Sequence, residues 1–378
     1  MKYFCITLVI LLSVTLLSFG VSEPLIRVLI SDSATSVTLT ATTNGKLIDA
    51  DVNKIIIYTK PYDTVTVVAK NDKLHIKGYT RLSSKMIFTP IEGKLYFNKR
   101  HYRGYFKIVS NKGKIQLINV IKMEEYLYGV LKNEVNLSWN MEMQKVQAVA
   151  ARTYAYYTLR KVREKDRSSE YDLRADNLSQ VYGGMESEAD VVIEAVNATR
   201  GEIITYKGRP IEAVYHSESG GITASAKEVW GRDIPYLKVV YSPFEREAPH
   251  YHWRYFLSYD EIGHILRTMD YNIWRVNKVK VVSRTESGRI GKMRVYSRFG
   301  YHYDVEGKDF RLKVGPKKLL STLCVLESSE KGVTFVGKGF GHGVGLPQWG
   351  AKGYTERGYD YKFVLQHFYA GTKIEKMY

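Results

Sequence analysis

The chain has 378 residues, 44% hydrophobic and 25% charged, enough apolar material to bury a full core as one large or two smaller domains, which excludes a disordered chain. Lysine and arginine total 56 against 39 acidic residues, and the formal charge of +17 suits an acidic polymer (nucleic acid, anionic lipid or wall polymer) or reflects a lysine-rich proteome with no electrostatic purpose. Two cysteines, Cys5 and Cys324, exclude a disulfide framework.

Residues 1–22 open with Met1-Lys2, continue as an apolar run over 3–17, and reach the small residues Ser18 and Gly20 that a signal peptidase needs. The protein is therefore expected in the cell envelope, in the periplasm or at the outer face of the cytoplasmic membrane. It is either secreted after cleavage or held by an uncleaved N-terminal anchor. Cys5 lies inside the run and is badly placed for lipid modification. Cleavage would leave Cys324 alone, with no intramolecular disulfide. Export also makes nucleic acid the weakest of the acidic partners.

From residue 25 to about 120, short β-type runs begin at Ile26, Val37, Ile55, Val65 and Phe106, with turn signals at Asn44-Gly45, Asn71-Asp72 and Glu92-Gly93. At Met123 the pattern changes to a short helix with apolar Leu127, Val130 and Leu131. A loop over 136–140 with capping residues follows, then the longest helical segment, 141–163. Its Ala148-Val-Ala-Ala run predicts close packing in the core. Residues 201–215 read as a hairpin turning at Lys207-Gly208. Residues 249–335 mix a helix over 259–270 with strands over 278–282 and 292–296, and a glycine-dense loop and a final helix over 361–369 close the chain. No fixed-period repeat is present.

Several chemistries lack their signatures. The loop from Gly337 to Gly345 has glycine at every second position but is neither a dinucleotide nor a phosphate loop, and no paired-cysteine or H-E-x-x-H zinc pattern occurs. Ser217 and Ser219, in His-Ser-Glu-Ser-Gly-Gly, do not fit a nucleophile elbow.

Polar residues in apolar or glycine-rich surroundings remain. Glu134 lies between the two helices near Leu131, Val135, Leu137 and Trp139, and desolvation there would raise its pKa toward what a general acid needs; otherwise it is an exposed helix-end residue. Arg152 is the sole charge on the small-residue helical stretch, so it is paired in a structural salt bridge or points at a ligand. His216 and His342 sit where backbone can approach a ligand closely, or are hydrogen-bonded structural histidines. Gln180 with Tyr182, and Gln348 with Trp349, are polar and aromatic pairs of the kind that hold sugars, although 30 tyrosines dilute that signal.

Taken together, these segments resemble the stage II sporulation protein D family, whose relatives include the amidase-enhancer proteins of cell-wall turnover. The resemblance rests on Glu125-Tyr-Leu-Tyr-Gly-Val, Gln147-Ala-Val-Ala-Ala-Arg-Thr-Tyr-Ala, Ser179-Gln-Val-Tyr-Gly-Gly, Ala195-Val-Asn-Ala-Thr-Arg-Gly, Tyr215-His-Ser-Glu-Ser-Gly-Gly, Val229-Trp-Gly, Pro235-Tyr-Leu, Gly339-Phe-Gly-His-Gly-Val-Gly-Leu-Pro-Gln-Trp-Gly-Ala and His367-Phe-Tyr. These blocks occur in the family's order from about residue 25 to the C-terminus.

The resemblance implies a lytic transglycosylase that cuts peptidoglycan between N-acetylmuramic acid and N-acetylglucosamine, preferring strands stripped of stem peptides. It implies Glu134 and Arg152 as catalytic residues; Gln180, Tyr182, His216, Ser217, His342 and Gln348 are the residues expected to bind the glycan. Ordinary glycosidases need two carboxylates, whereas closure of an anhydro ring by the muramic acid's own hydroxyl needs one. Arg152 would hold the lactyl carboxylate of an unsubstituted muramic acid.

Departures accompany the resemblance. Some relatives bind zinc through a histidine and two nearby cysteines, but no cysteine follows His216 until Cys324, so neither a metal nor any other cofactor is expected. Relatives commonly follow the glutamate with Met-Pro, where this chain has Val135-Asn136. Others carry cysteines in the stretch that is 171–179 here.

The expected fold is α+β: a single unit with a β-rich N-terminal part over 23–120, a helix-containing catalytic core over 121–248, a second β-containing region over 249–335, and a C-terminal glycine loop and helix over 336–378 completing the core. The expected partner is the peptidoglycan glycan strand. The alternative is a non-catalytic wall-binding module that stimulates an N-acetylmuramoyl-L-alanine amidase, and a third reading is an exported serine hydrolase using Ser217 or Ser219.

Overall fold

The computed structural model describes residues 22–80, 82–176 and 179–378. The expected leader, apart from Ser22, lies outside the described residues.

The N-terminal part packs two sheets. One takes the strands Leu173–Arg174, Leu25–Ser31, Lys114–Lys122, Tyr105–Asn111, Lys85–Pro90, Gly45–Asp49 and Lys54–Thr59 in that spatial order; the other is built around Ser36–Ala41 and Thr64–Lys70. Alternation decides the buried face: Val37, Leu39 and Ala41 point inward while Ser36 and Thr38 face solvent. Inward residues of both sheets, among them Val28, Leu39, Val67 and Phe88, share one core.

The turn signals have different outcomes. Asn71 and Asp72, at φ 52° and 55°, make the expected hairpin turn between Thr64–Lys70 and Lys73–Ile76. Gly45 instead opens a strand, where a Cβ would stand 2.9 Å from Thr59 Oγ1 and 3.2 Å from the Thr89 carbonyl, so glycine permits close strand approach. Glu92-Gly93 lies between Lys85–Pro90 and Leu95–Phe97, which belong to different sheets, so it turns a corner and not a hairpin.

Eight helices occur among the described residues: α1 (Met123–Glu134), α2 (Met141–Lys165), α3 (Asp190–Ala198), α4 (Ala226–Trp230), α5 (Tyr259–Arg267), α6 (Gly307–Val314), α7 (Gln348–Thr355) and α8 (Tyr361–Phe368). Asn140 caps α2 by accepting from the Met143 amide at 2.9 Å. Helix α2 is the spine of the molecule. Ala148, Ala151 and Ala155 face the N-terminal core, while Met143, Val146, Val149 and Ala150 face a second core built with the Glu202–Tyr206 strand, α7 and α8. Small side chains are what allow one helix to be covered on both sides.

Residues 253–337 form a third cluster from two three-stranded sheets with α5 and α6. Cys324 is buried there, and burial pushes its thiol up to about 12. The chain then returns to the second core, where Leu346–Pro347 pairs in parallel with Tyr215–His216. The architecture is α+β, with mainly antiparallel sheets and separate helices.

Candidate functional site

Helix α1 ends at Glu134, because Val135 turns to extended backbone at φ −133° and ψ 148°. The segment after Ser179 docks against this end: the Val181 amide donates to Glu134 Oε1 at 3.2 Å, and Asn133 Nδ2 donates to the Val181 carbonyl at 3.1 Å. This close passage depends on Gly129 inside α1, where a Cβ would lie 2.7 Å from the Tyr182 ring. The Gly-Val and Tyr-Gly-Gly blocks of the sequence are therefore two sides of one contact.

Glu134 lines a cleft of about 390 Å³ together with Asn133, Tyr154, Ser179, Val181, Tyr215 and His342. Burial pushes its carboxyl above the usual carboxylate range, opposed by the hydrogen bonds from the Val181 amide and the Tyr215 hydroxyl. Among the described residues lining the cleft, Glu134 is the only carboxylate.

Of the two histidines, His342 lines the cleft and His216 packs beside it. Nδ1 of His342 accepts from the Val344 amide at 3.0 Å, which leaves Nε2 protonated to donate to the Tyr215 carbonyl at 3.1 Å. Burial, with Arg311 and Arg289 nearby, lowers its pKa to about 4, so it is neutral near pH 7. His216 donates from Nδ1 to the Val344 carbonyl at 3.1 Å, and its Nε2 is buried without a partner among the described residues. The rings lie 5.2 Å apart. The glycine loop reaches them because Gly341 (φ 129°) has no Cβ, which would sit 2.7 Å from His216 Cβ. Among the described residues no group of three or more metal-ligating side chains converges, and His216 Nε2 by itself does not make a metal site.

Other expected site residues take different positions. Arg152, read as either salt-bridged or aimed at a ligand and implied as catalytic by the resemblance, takes the salt-bridged course: it is fully buried, and all five guanidinium N–H groups have acceptors, Glu124 twice, Thr199, and the carbonyls of Val196 and Glu202. Glu124 and Glu134 are ten residues apart on α1, about 15 Å along its axis. Arg152 thus anchors the opposite end of the helix that carries Glu134. Tyr182 is also buried, donating to Asn119 Oδ1 at 2.8 Å and packing on the Tyr126 ring, so it offers no face to a sugar.

Gln180 stands behind the cleft, accepting from Tyr126 and donating to the Tyr215 hydroxyl at 3.2 Å. Gln348 donates to the Glu134 carbonyl at 2.6 Å and to Gln147 Oε1 at 3.2 Å. Ser217 accepts the Trp349 amide through its carbonyl. Ser219 is buried, with its hydroxyl donated to Glu245 Oε1 at 2.5 Å, a geometry that leaves it no histidine base. Tyr154 and Tyr215 were not singled out from the sequence. Both lie in quoted blocks, but nothing separates them from 28 other tyrosines (30 in all).

A family model described as "Stage II sporulation protein" matches residues 111–206, and one described as a domain of unknown function matches 236–345. The chain is 30% identical over 353 residues to an uncharacterized protein of Brachyspira hyodysenteriae, covering 93% of both. It is 30% identical to the stage II sporulation protein D of Bacillus amyloliquefaciens over 68% of this chain and 75% of that one. With the amidase enhancer of Bacillus subtilis it shares 27% identity over 66% of this chain and 40% of the relative.

Proposed function

The chain belongs to the stage II sporulation protein D family, and from this premise we propose that it is an exported peptidoglycan lytic transglycosylase with Glu134 as its acid and base. The observation that carries this reading is a single carboxyl, desolvated and held by two donors, in a cleft lined by no second carboxylate among the described residues. Hydrolysis by water or by an enzyme nucleophile calls for a second carboxylate; intramolecular ring closure does not.

Protonated Glu134 gives its proton to the glycosidic oxygen as the bond to the muramic anomeric carbon breaks. The Val181 amide and Tyr215 hydroxyl then stabilise the carboxylate that forms. The muramic acid's own primary hydroxyl attacks the anomeric carbon and passes its proton to Glu134, closing the anhydro ring and restoring the acid. Neutral His342 holds Tyr215 in place from the backbone side.

The relative named amidase enhancer supports a second reading, a wall-binding module that stimulates an amidase. One experiment separates the two. On amidase-treated peptidoglycan, the wild type releases anhydromuramic ends detectable by mass spectrometry, and Glu134→Gln binds the glycan without releasing them. Continued cleavage by the variant removes Glu134 as the acid, and binding without cleavage by either form favours the module.

A further inference from the structure

Helix α2 carries Tyr154, Tyr157 and Lys161 at spacings of three and four residues, which places them on one face. Tyr154 lines the Glu134 cleft. Tyr157 and Lys161 line a second cavity of about 420 Å³, with Arg160, Glu164, Arg209 and Pro210. From Tyr154 to Lys161 the helix rises about 10 Å, the length scale of a disaccharide.

The charges here are unbalanced. Glu164 pairs with Arg160 at 3.1 Å, whereas Lys161 and Arg209 form no ion pair among the described residues. Lys161 Nζ instead stands 5.5 Å from the centroid of the Tyr157 ring. Two unneutralised cations beside a half-buried tyrosine, in a second cavity one to two turns further along the helix face that carries Tyr154, suit a sugar bearing a carboxylate. Arg152 cannot serve, since its donors are consumed inside the protein.

We propose that the Tyr157–Lys161–Arg209 cavity is an anion subsite that takes the free lactyl carboxylate of a muramic acid one repeat away from the cleaved bond. This rests on reading the Glu134 cleft as the glycan site. A stem peptide amide-linked to that carboxylate removes the negative charge, so the subsite gives peptide-free strands their advantage.

The test measures binding of full-length Glu134→Gln protein, with and without Lys161→Glu and Arg209→Glu, to two ligands: peptide-free glycan strands, and the same strands with their carboxylates converted to neutral methylamides. Charge reversal is expected to weaken binding to the free strands about tenfold and to leave binding to the methylamides unchanged. Lys161→Met with Arg209→Met gives a smaller loss of the same selectivity. Equal affinity of all forms for the free strands, or an equal loss on both ligands, overturns the subsite. Cleavage by Glu134→Gln would instead count against the acid assignment, and would leave the comparison between the two ligands to decide the subsite.

Discussion

Gln348 reaches across 214 residues of chain to donate its Nε2 to the main-chain carbonyl of Glu134 at 2.6 Å. A carbonyl in the last turn of a helix has no intrahelical donor, and Gln348, at the start of α7, supplies one. The end of α1 is thereby fixed from below by Gln348 and from the side by Asn133 and Val181. Glu134 is held through backbone and side chain alike, the kind of positioning that the proposed acid role calls for.

Glu134→Gln is expected to lower turnover by about a hundredfold or more and to stabilise the protein at neutral pH. Because the folded-state pKa of Glu134 is raised, its protonated form is favoured. That contribution is fully present below the unfolded pKa and lost as pH rises through the folded one. The glutamine variant escapes the loss, so its advantage in urea denaturation grows from acid toward neutral pH, reaching about 0.5–2 kcal/mol. A constant difference across pH would contradict the burial of this carboxyl.

Tyr215→Phe tests the hydrogen bond that partly offsets burial. The Tyr215 hydroxyl lowers the pKa of Glu134, so its removal raises that pKa further. On the proposed mechanism activity depends on protonated Glu134, so the alkaline limb of the kcat profile should move to higher pH while the maximal rate falls. An unmoved limb would place the Tyr215 hydroxyl outside the titrating unit.

Arg152→Ala leaves Glu124 buried without its cation and is expected to destabilise the fold by about 3–5 kcal/mol. Replacing both, with Arg152→Met and Glu124→Leu, should recover part of that stability, because breaking one side of a buried pair costs more than replacing both. Activity measured on the folded fraction should then return. A folded but inactive Arg152→Met/Glu124→Leu protein would restore a direct role for the arginine in catalysis.

Acidification should weaken the fold through His216 and His342. Burial lowers both pKa values, His342 to about 4, and the facing charges of Arg289 and Arg311 act in the same direction. A depressed folded pKa means that stability is present above the unfolded value and lost as pH falls toward the folded one. Between about pH 6.5 and 4, the loss attributable to His342 is about 2–3 kcal/mol. His342→Gln should flatten this part of the stability profile, read by thermal denaturation.

The sequence by itself determined the family, the α+β class, the N-terminal strands and both helices flanking Glu134, because alternation, capping by Asn140 and an alanine-rich run are local signals. It also singled out Glu134, but only through the resemblance to the family's glutamate before the long helix; its neighbours Leu131, Val135 and Trp139 leave both a desolvated acid and an exposed helix end open in one dimension. Only the tertiary structure decided which polar residues reach the cleft. Arg152 and Tyr182 share ordered blocks with Tyr154 and Val181, yet the first pair is sealed inside while the second lines the wall. Periodicity reports which face of an element is covered. It carries no information on which distant segment covers that face, and here the cover comes from a glycine loop more than a hundred residues away, whose His342 donates to the Tyr215 carbonyl and whose Val344 carbonyl accepts from His216.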